Sequence, residues 1–222
     1  MSFIVAETET RERFNESRLL LDELRRNGPL PLQPLTQLQK AQRGLWLVSL
    51  YAAVERSVNS CVEAALGIIS SEGVKSADAV SSVHSIFHLS KVQSLHSCGR
   101  GSIFDKTITL LEASSSDDIL GTIDNPLASS LQNVDSKTML WVLRLFGAPA
   151  MTPSQAAQGR INTLRERRNA VAHGRESAAK VGERYTITEL ENIYNSGDEV
   201  ITEFSATLKY HCVSKSYLRR TA

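Results

Sequence analysis

The chain has 222 residues, enough for one sizeable domain or two small ones. Lys and Arg total 25 against 24 Asp and Glu, so the formal net charge is +1 at pH 7. This balance excludes a protein that coats nucleic acid through bulk positive charge, and any such contact must come from a local patch.

Targeting signals are weak throughout. The first residues, MSFIVAETETRERF, have only a brief apolar run before the charges begin, and no stretch approaches the roughly 18 apolar residues of a membrane span. We therefore expect no signal peptide and no membrane partner.

The cysteines, Cys61, Cys98 and Cys212, are odd in number and lack metal-ligand spacing. We interpret them as reduced thiols, which predicts a cytoplasmic location.

Helical periodicity dominates the first half of the chain. A charged helix is predicted over 7–26, followed by a proline-rich break at 27–35. A strong helix follows and ends at Gly73, because its apolar residues recur at three- and four-residue steps. Those residues are Leu47, Leu50, Tyr51, Val54, Val58, Cys61, Val62, Ala65 and Ile69.

Less regular helices are predicted next. Asp78 can cap a helix over 79–97, which CGRGS (98–102) interrupts and FDKTITLLEA (104–113) resumes. The segment 114–130 is polar and rich in turn residues, so it is predicted to be a surface excursion.

The remaining helices have clearer ends. A short apolar helix ends at Gly147, and the next one is predicted to begin with Thr152 as cap before Pro153 and to stop at Gly174. A linker, RESAAKVGERY, leads to a last helix opened by a capping box of Thr186 and Glu189. Its predicted buried face tolerates Gly197 and comprises Leu190, Ile193, Ile201, Phe204, Leu208 and His211 or Cys212.

These patterns predict an all-α, bundle-like single domain spanning 1–222, with no convincing strand and no repeat. An N-terminal helix and proline-rich linker occupy 1–36, the core occupies 37–218, and a small basic tail with Lys215, Arg219 and Arg220 occupies 213–222. The two tryptophans, Trp46 and Trp141, lie in apolar helices and are interpreted as core residues.

The stretch RERRNAVAHGRE, from Arg165 to Glu176, places an arginine on an apolar helix face. On a wheel of about 100° per residue, Arg168 falls within the cluster of Ile161, Leu164, Val171 and Ala172. A second stripe, beside that apolar cluster, comprises Arg165, Asn169 and His173. The opposite face of the helix is predicted to carry Glu166, Arg167 and Ala170.

A guanidinium in that position needs a carboxylate partner, a ligand or both. Glu55, beside the apolar face of the strong helix, is the candidate partner. Arg168 can also bind phosphate bidentately, Asn169 can position a neighbouring group, and His173 can exchange protons near neutral pH. Two structural alternatives remain open: Arg168 can extend its head to water, and His173 can favour the negative end of the helix dipole.

The motif RRNAVAHG resembles the signature of the HEPN superfamily, in which four to six residues separate an arginine from a histidine and a polar residue follows the arginine. Arg168, Asn169 and His173 match that signature. The wider order of LWLVSLYAAVERSVNSCV, VLRLFGAP, LRERRNAVAHG and GERYTITELENI, within about 38–218, is similar to the small stand-alone bacterial RiboL-PSP-HEPN-type proteins.

The resemblance implies a HEPN-like helical bundle, commonly a homodimer with the motif helices facing each other across a cleft. It also implies a metal-independent endoribonuclease without a cofactor, often a toxin with an antitoxin or inhibitor partner, or an anti-phage defence effector. One subgroup has a modified tyrosine two residues after the histidine. Arg175 occupies that position here, so that mode of silencing is not expected.

The chemistry implied by the resemblance is attack of an RNA 2′-hydroxyl on the adjacent phosphorus, which leaves a 2′,3′-cyclic phosphate and a 5′-hydroxyl. Arg168 and His173 are the expected catalytic residues with Asn169 orienting them, and Glu55 and Arg165 are supports. The alternative is a non-catalytic HEPN module that binds RNA or a partner protein.

A second histidine group invites a metal hypothesis. His84 and His88 lie four residues apart, with His96 beyond them, and such a pair can share a metal on one helix face. However, Ser85 stands where a zincin has glutamate, so core or surface histidines are the default interpretation and no metal site is predicted.

Overall fold

The structure is a computed structural model that describes residues 2–29, 33–122 and 124–219. Within those ranges the chain forms nine α-helices and no β-strand, which confirms the all-α fold. The helices are α1 (Phe3–Arg26), α2 (Gln37–Ser71), α3 (Ser81–Phe87), α4 (Leu89–Ser97), α5 (Ile103–Ser114), α6 (Ser136–Phe146), α7 (Gln155–Ala172), α8 (Ala178–Gly182) and α9 (Ile187–Val213). Part of the predicted proline-rich break, 30–32, lies outside the described residues.

Helix α2 forms the centre of the bundle. It packs against α1, α7, α8 and α9, so its buried residues extend around most of its circumference rather than along one stripe. Thr36 and Gln39 form a capping box at its start. Gly73, which the sequence predicted to mark the end of this helix, adopts φ +63° just beyond it. A helix anchored on so many sides is a rigid support for any side chain that it presents.

Helix α9 completes the core as predicted. The capping box of Thr186 and Glu189 is present. A Cβ atom at Gly197 would lie 3.5 Å from the Phe14 ring, so this position lies in ordinary contact with α1. The buried face of α9 includes every residue that the sequence predicted there: Leu190, Ile193, Ile201, Phe204, Leu208, His211 and Cys212.

Three predicted boundaries were wrong. Asp78 ends a 3-10 turn rather than capping a helix, and α3 begins at Ser81. The predicted helix over 79–97 is divided at His88, whose φ of −106° and ψ of 24° leave the helical range. Ser154, not Thr152, caps α7, since its side chain accepts a hydrogen bond from the Ala157 amide. Thr152 instead hydrogen-bonds Glu203 of α9.

The segment 114–130 is irregular, as predicted, but it is not purely a surface excursion. Leu120 and Leu127 are buried. The Leu120 amide donates a hydrogen bond to the Val74 carbonyl and the Ser76 amide donates to the Asp118 carbonyl, so this part of the segment is tied to the chain beyond α2. Position 123 lies outside the described residues.

The two tryptophans differ. Trp46 is buried and donates its indole N–H to the Ser17 carbonyl, whereas Trp141 is 39% exposed, so its assignment to the core was wrong. Residues 213–219 of the predicted basic tail pack against the rest of the chain, because Tyr217 is buried and Arg219 donates to the Ala79 carbonyl. Arg220 lies outside the described residues.

The predicted linker RESAAKVGERY contains α8, which packs directly on α2. A Cβ atom at Gly44 would lie 2.0 Å from the Ala178 carbonyl oxygen, and one at Gly182 would lie 2.0 Å from the Lys40 carbonyl oxygen. Only glycine permits this backbone approach. A five-residue helix has too little periodicity to be recognised from sequence.

We expect Gly44→Ala to lower the free energy of unfolding by about 3 kcal/mol or more, because neither backbone at the crossing can yield to a methyl group. Gly159→Ala is the matched control. Gly159 lies inside α7 with no atom within 4 Å of its added Cβ, so alanine there should raise stability by about 0.5–1 kcal/mol. Urea unfolding of both variants checks the prediction, and equal stability of the two would contradict the close packing of α8.

Candidate active site

Helix α7 carries the motif and is anchored by its first half. Ile161 and Leu164 are fully buried, and α7 packs on α2 and α9. The predicted stop at Gly174 is confirmed, since Gly174 adopts φ +66° and His173 caps the helix. The motif therefore occupies the last turns of a helix whose other end is fixed in the core.

The exposure predicted from the helical wheel was wrong for two alanines in the last turns of α7. Ala170 was predicted to face away but is buried, and Ala172 was predicted in the apolar cluster but is exposed. At Ala170 the chain folds back beyond Gly174, and the Glu176 amide donates to the Ala170 carbonyl. A helical wheel describes an isolated helix, so it cannot predict a contact with the chain that follows the helix.

Arg168 is held by partners from three parts of the chain. Its guanidinium lies 4.3 Å from the centre of the Tyr51 ring, in cation–π geometry. Its Nη2 forms an ion pair with Glu55, the partner indicated by the sequence, and also donates to the Gln132 carbonyl at 3.4 Å. Its Nη1 donates to Asn169 Oδ1 at 2.9 Å. The structure thus brings Arg168, Asn169 and Glu55 together.

Burial sets the electrostatics of this cluster. It raises the pKa of the Glu55 carboxyl, while the positive charge of Arg168 acts in the opposite direction. Burial also raises the pKa of Tyr51 far above its ordinary range, and the Tyr51 hydroxyl donates to the Val134 carbonyl at 3.0 Å. Arg168 is therefore the counter-ion of a carboxylate whose side chain is only 26% exposed.

The hydrogen bonds of Arg168 limit how it can meet a phosphate. A guanidinium has five N–H donors, and both of its two-donor edges include Nη2. Here Nη2 already serves Glu55 and Gln132. A bidentate phosphate contact therefore requires one of these acceptors to release Nη2, whereas Nε and the second N–H of Nη1 can each give a single bond.

Arg165 and His173 lie on either side of Asn169 along α7. Arg165 forms an ion pair with Asp135, the residue that caps α6, so it ties the motif helix to α6. His173 is exposed, and its backbone amide donates to Asn169. Among the described residues, no hydrogen bond or ion pair joins the His173 ring to Arg168 or Asn169.

An open groove of about 580 Å³ borders the motif helix. Sequence reasoning missed it, because it combines side chains from α7 with the loops before α6 and after α7. It is lined by Asn133, Arg165, Glu166, Arg167, Asn169, Ala170, Arg175 and Glu176. Tyr51 and Asp135 were also missed as site residues, although Tyr51 lies one helical turn before Glu55.

The second histidine group lies elsewhere. His84 and His88 are buried and stacked, with ring centres 5.5 Å apart, and His88 Nε2 lies 3.0 Å from Ser76 Oγ. His96 is exposed. Within the described ranges, no three His, Cys, Asp or Glu side chains converge as a metal site.

These buried histidines predict a pH dependence of stability. Burial lowers the pKa of His84, His88 and His211 below the ordinary value of 6.5. The unfolded chain then binds protons more readily, so the free energy of unfolding should fall as the pH drops below about 6.5. His84→Leu removes one such group and should make the loss between about pH 7.5 and pH 5.5 smaller. An unchanged loss in denaturant titrations would contradict this assignment.

Among the described helices, none is both long and apolar enough to cross a membrane.

The chain matches a known protein family. No curated protein and no solved structure matches the chain. The family model described as RiboL-PSP-HEPN matches residues 8–210, a range that includes α2, the motif helix α7 and most of α9. The chain therefore belongs to the RiboL-PSP-HEPN family of the HEPN superfamily.

Proposed function

We propose that this protein is a metal-independent endoribonuclease that cleaves single-stranded RNA to 2′,3′-cyclic phosphate and 5′-hydroxyl ends. The observation that carries the proposal is the fixed Arg168 guanidinium, hydrogen-bonded to Asn169 at the edge of an open polar groove, with the exposed His173 at the end of the same helix. Family membership supports a HEPN-type module, and the residues above supply the chemistry.

The proposed reaction needs no outside nucleophile. The RNA 2′-oxygen forms a bond to the adjacent phosphorus, and the bond from phosphorus to the 5′-oxygen breaks. A His173 imidazole accepts the 2′-proton or donates a proton to the departing oxygen. Arg168 stabilises the negative charge on the phosphorane-like oxygens, and Asn169 orients the guanidinium. Glu55 and Arg165 support that geometry through their ion pairs.

We further propose a cellular setting from the family resemblance. The protein acts in the cytoplasm as a toxin or an anti-phage effector, restrained by an antitoxin or inhibitor. Its three cysteines, Cys61, Cys98 and Cys212, are free thiols, which supports a reducing compartment.

A second candidate function is a non-catalytic HEPN module that binds RNA or a protein. The observation that favours it is the complete use of Arg168 Nη2 by Glu55 and Gln132, which suits a structural ion pair. Incubation of the purified protein with total RNA separates the two. Discrete fragments support the nuclease, and intact RNA that binds the protein supports the module.

We expect a homodimer with the motif near its interface. One motif helix offers a single His173 on an open surface, whereas two helices about a two-fold axis form a closed, symmetric basic cleft with an acid and a base. Light scattering should give twice the chain mass at tens of micromolar, roughly the range that detects a stable pair. A monomer at that concentration would count strongly against the shared cleft.

A further inference from the structure

The groove beside α7 has a lining that suits a polar, anionic ligand. Three arginines, two glutamates and two amides face a volume of about 580 Å³, which is within the usual size of small-ligand sites. The amide side chains belong to Asn133 and Asn169, and Asn169 also contacts Arg168. The groove therefore borders the proposed catalytic residues through Asn169.

The arginines of the groove differ in how far they are already used. Arg165 is taken by Asp135. Arg167 donates Nε to the Tyr185 hydroxyl at 3.2 Å, which holds its side chain and leaves its two terminal nitrogens available. Arg175 is exposed and has no hydrogen bond or ion pair with any described residue. Arg167 and Arg175 are thus the cations that a ligand can recruit without breaking an ion pair.

The carboxylates of the groove do not cancel this charge. Glu176 is bound by Arg184, whose hydrogen bond lowers the Glu176 pKa, and lies 3.7 Å from Lys180. Of the two glutamates that line the groove, Glu166 is the one without an ion pair to a described residue. The lining alone has three arginines and two glutamates; when the ion-pair partners of these residues are included, there are five cations and three carboxylates, an excess of two positive charges. The cations are Arg165, Arg167, Arg175, Lys180 and Arg184, and the carboxylates are Asp135, Glu166 and Glu176.

We infer that this groove binds one unpaired nucleotide of a single-stranded RNA, with Arg167 and Arg175 on its phosphate and the amides of Asn133 and Asn169 on its base edge. A groove of this size has room for a base turned out of a strand, whereas the base edges of an RNA duplex stay paired and stacked. Amide groups pair well with base edges, and guanidinium groups pair well with phosphate. The inference rests on the proposed function, because it assigns the substrate contacts next to Arg168.

The test measures binding separately from cleavage. In a His173→Ala background, fluorescence anisotropy follows a short fluorescein-labelled single-stranded RNA of mixed sequence. Arg175→Ala and Arg167→Ala should each weaken binding about tenfold and reduce the salt dependence of log K by about 0.7 per lost phosphate contact. Arg13→Ala is the matched control, since Arg13 is an exposed arginine of α1 outside the groove. A duplex of the same sequence should bind more weakly than the single strand.

The outcomes separate the subsite from the nuclease. Binding by Arg175→Ala equal to its parent, an equal loss in Arg13→Ala, or no binding of single-stranded RNA would each overturn the subsite. Because Arg175 is exposed and unpaired among the described residues, its replacement keeps the test valid even if Arg167→Ala loses its fold. Selective loss in the groove variants, combined with an intact RNA substrate in the wild type, would keep the subsite and reject only the nuclease.

Discussion

Replacing Arg168 with lysine should reduce RNA cleavage about 100-fold while the fold survives. An ammonium group retains the charge opposite Glu55 but cannot keep the planar set of contacts to Asn169, Gln132 and Tyr51. Cleavage rates and thermal melts of the same preparation measure both parts of the prediction.

Arg168→Ala should lose activity and stability together. It leaves the half-buried Glu55 carboxylate without its counter-ion, which should cost about 2 kcal/mol, less than a fully buried pair because both side chains retain some exposure. Adding Glu55→Ala removes the unpaired carboxylate and should restore part of that stability but none of the activity. A stable, fully active Arg168→Ala protein would end both the catalytic and the structural interpretation of Arg168.

His173→Ala should reduce cleavage by at least about 100-fold, since a positioned acid or base typically contributes that much or more. His96→Ala is the matched control, because His96 is likewise exposed but lies on α4, outside the motif. The buried His84 and His88 are unsuitable controls, since alanine there would leave cavities. Equal activity of His173→Ala and His96→Ala would remove His173 from the mechanism.

The sequence predicted the fold well where periodicity and end signals agreed. The long α2 and α9 have continuous apolar faces, and Gly73, Gly147 and Gly174 marked helix ends that the structure confirms with positive φ values. The failures concern short or divided elements. The close crossing of α8 on α2 depends on Gly44 and Gly182. In the sequence, neither glycine differs from one that only weakens or ends a helix.

The site was predictable where its residues lie on one helix or where a charge on an apolar face requires a counter-ion. A guanidinium on an apolar face requires a carboxylate, and Glu55 was the charged residue beside the facing helix. Contacts that depend on the path of the loops were not predictable. The Gln132 carbonyl accepts a hydrogen bond from Arg168, Asp135 binds Arg165, and Arg175 enters the groove only because the chain folds back beyond Gly174.

The central claim is that the RNA supplies its own nucleophile, and a substrate with a single 2′-deoxyribose at the mapped cut site tests it most directly. The account predicts that this substrate stays intact in the presence of excess chelator, while the all-ribose substrate is cleaved there to 2′,3′-cyclic phosphate ends. Cleavage of the deoxy substrate at that site would contradict the mechanism, because it requires a nucleophile other than the 2′-hydroxyl. Loss of activity in chelator that zinc or magnesium restores would also contradict it, because the mechanism uses no metal.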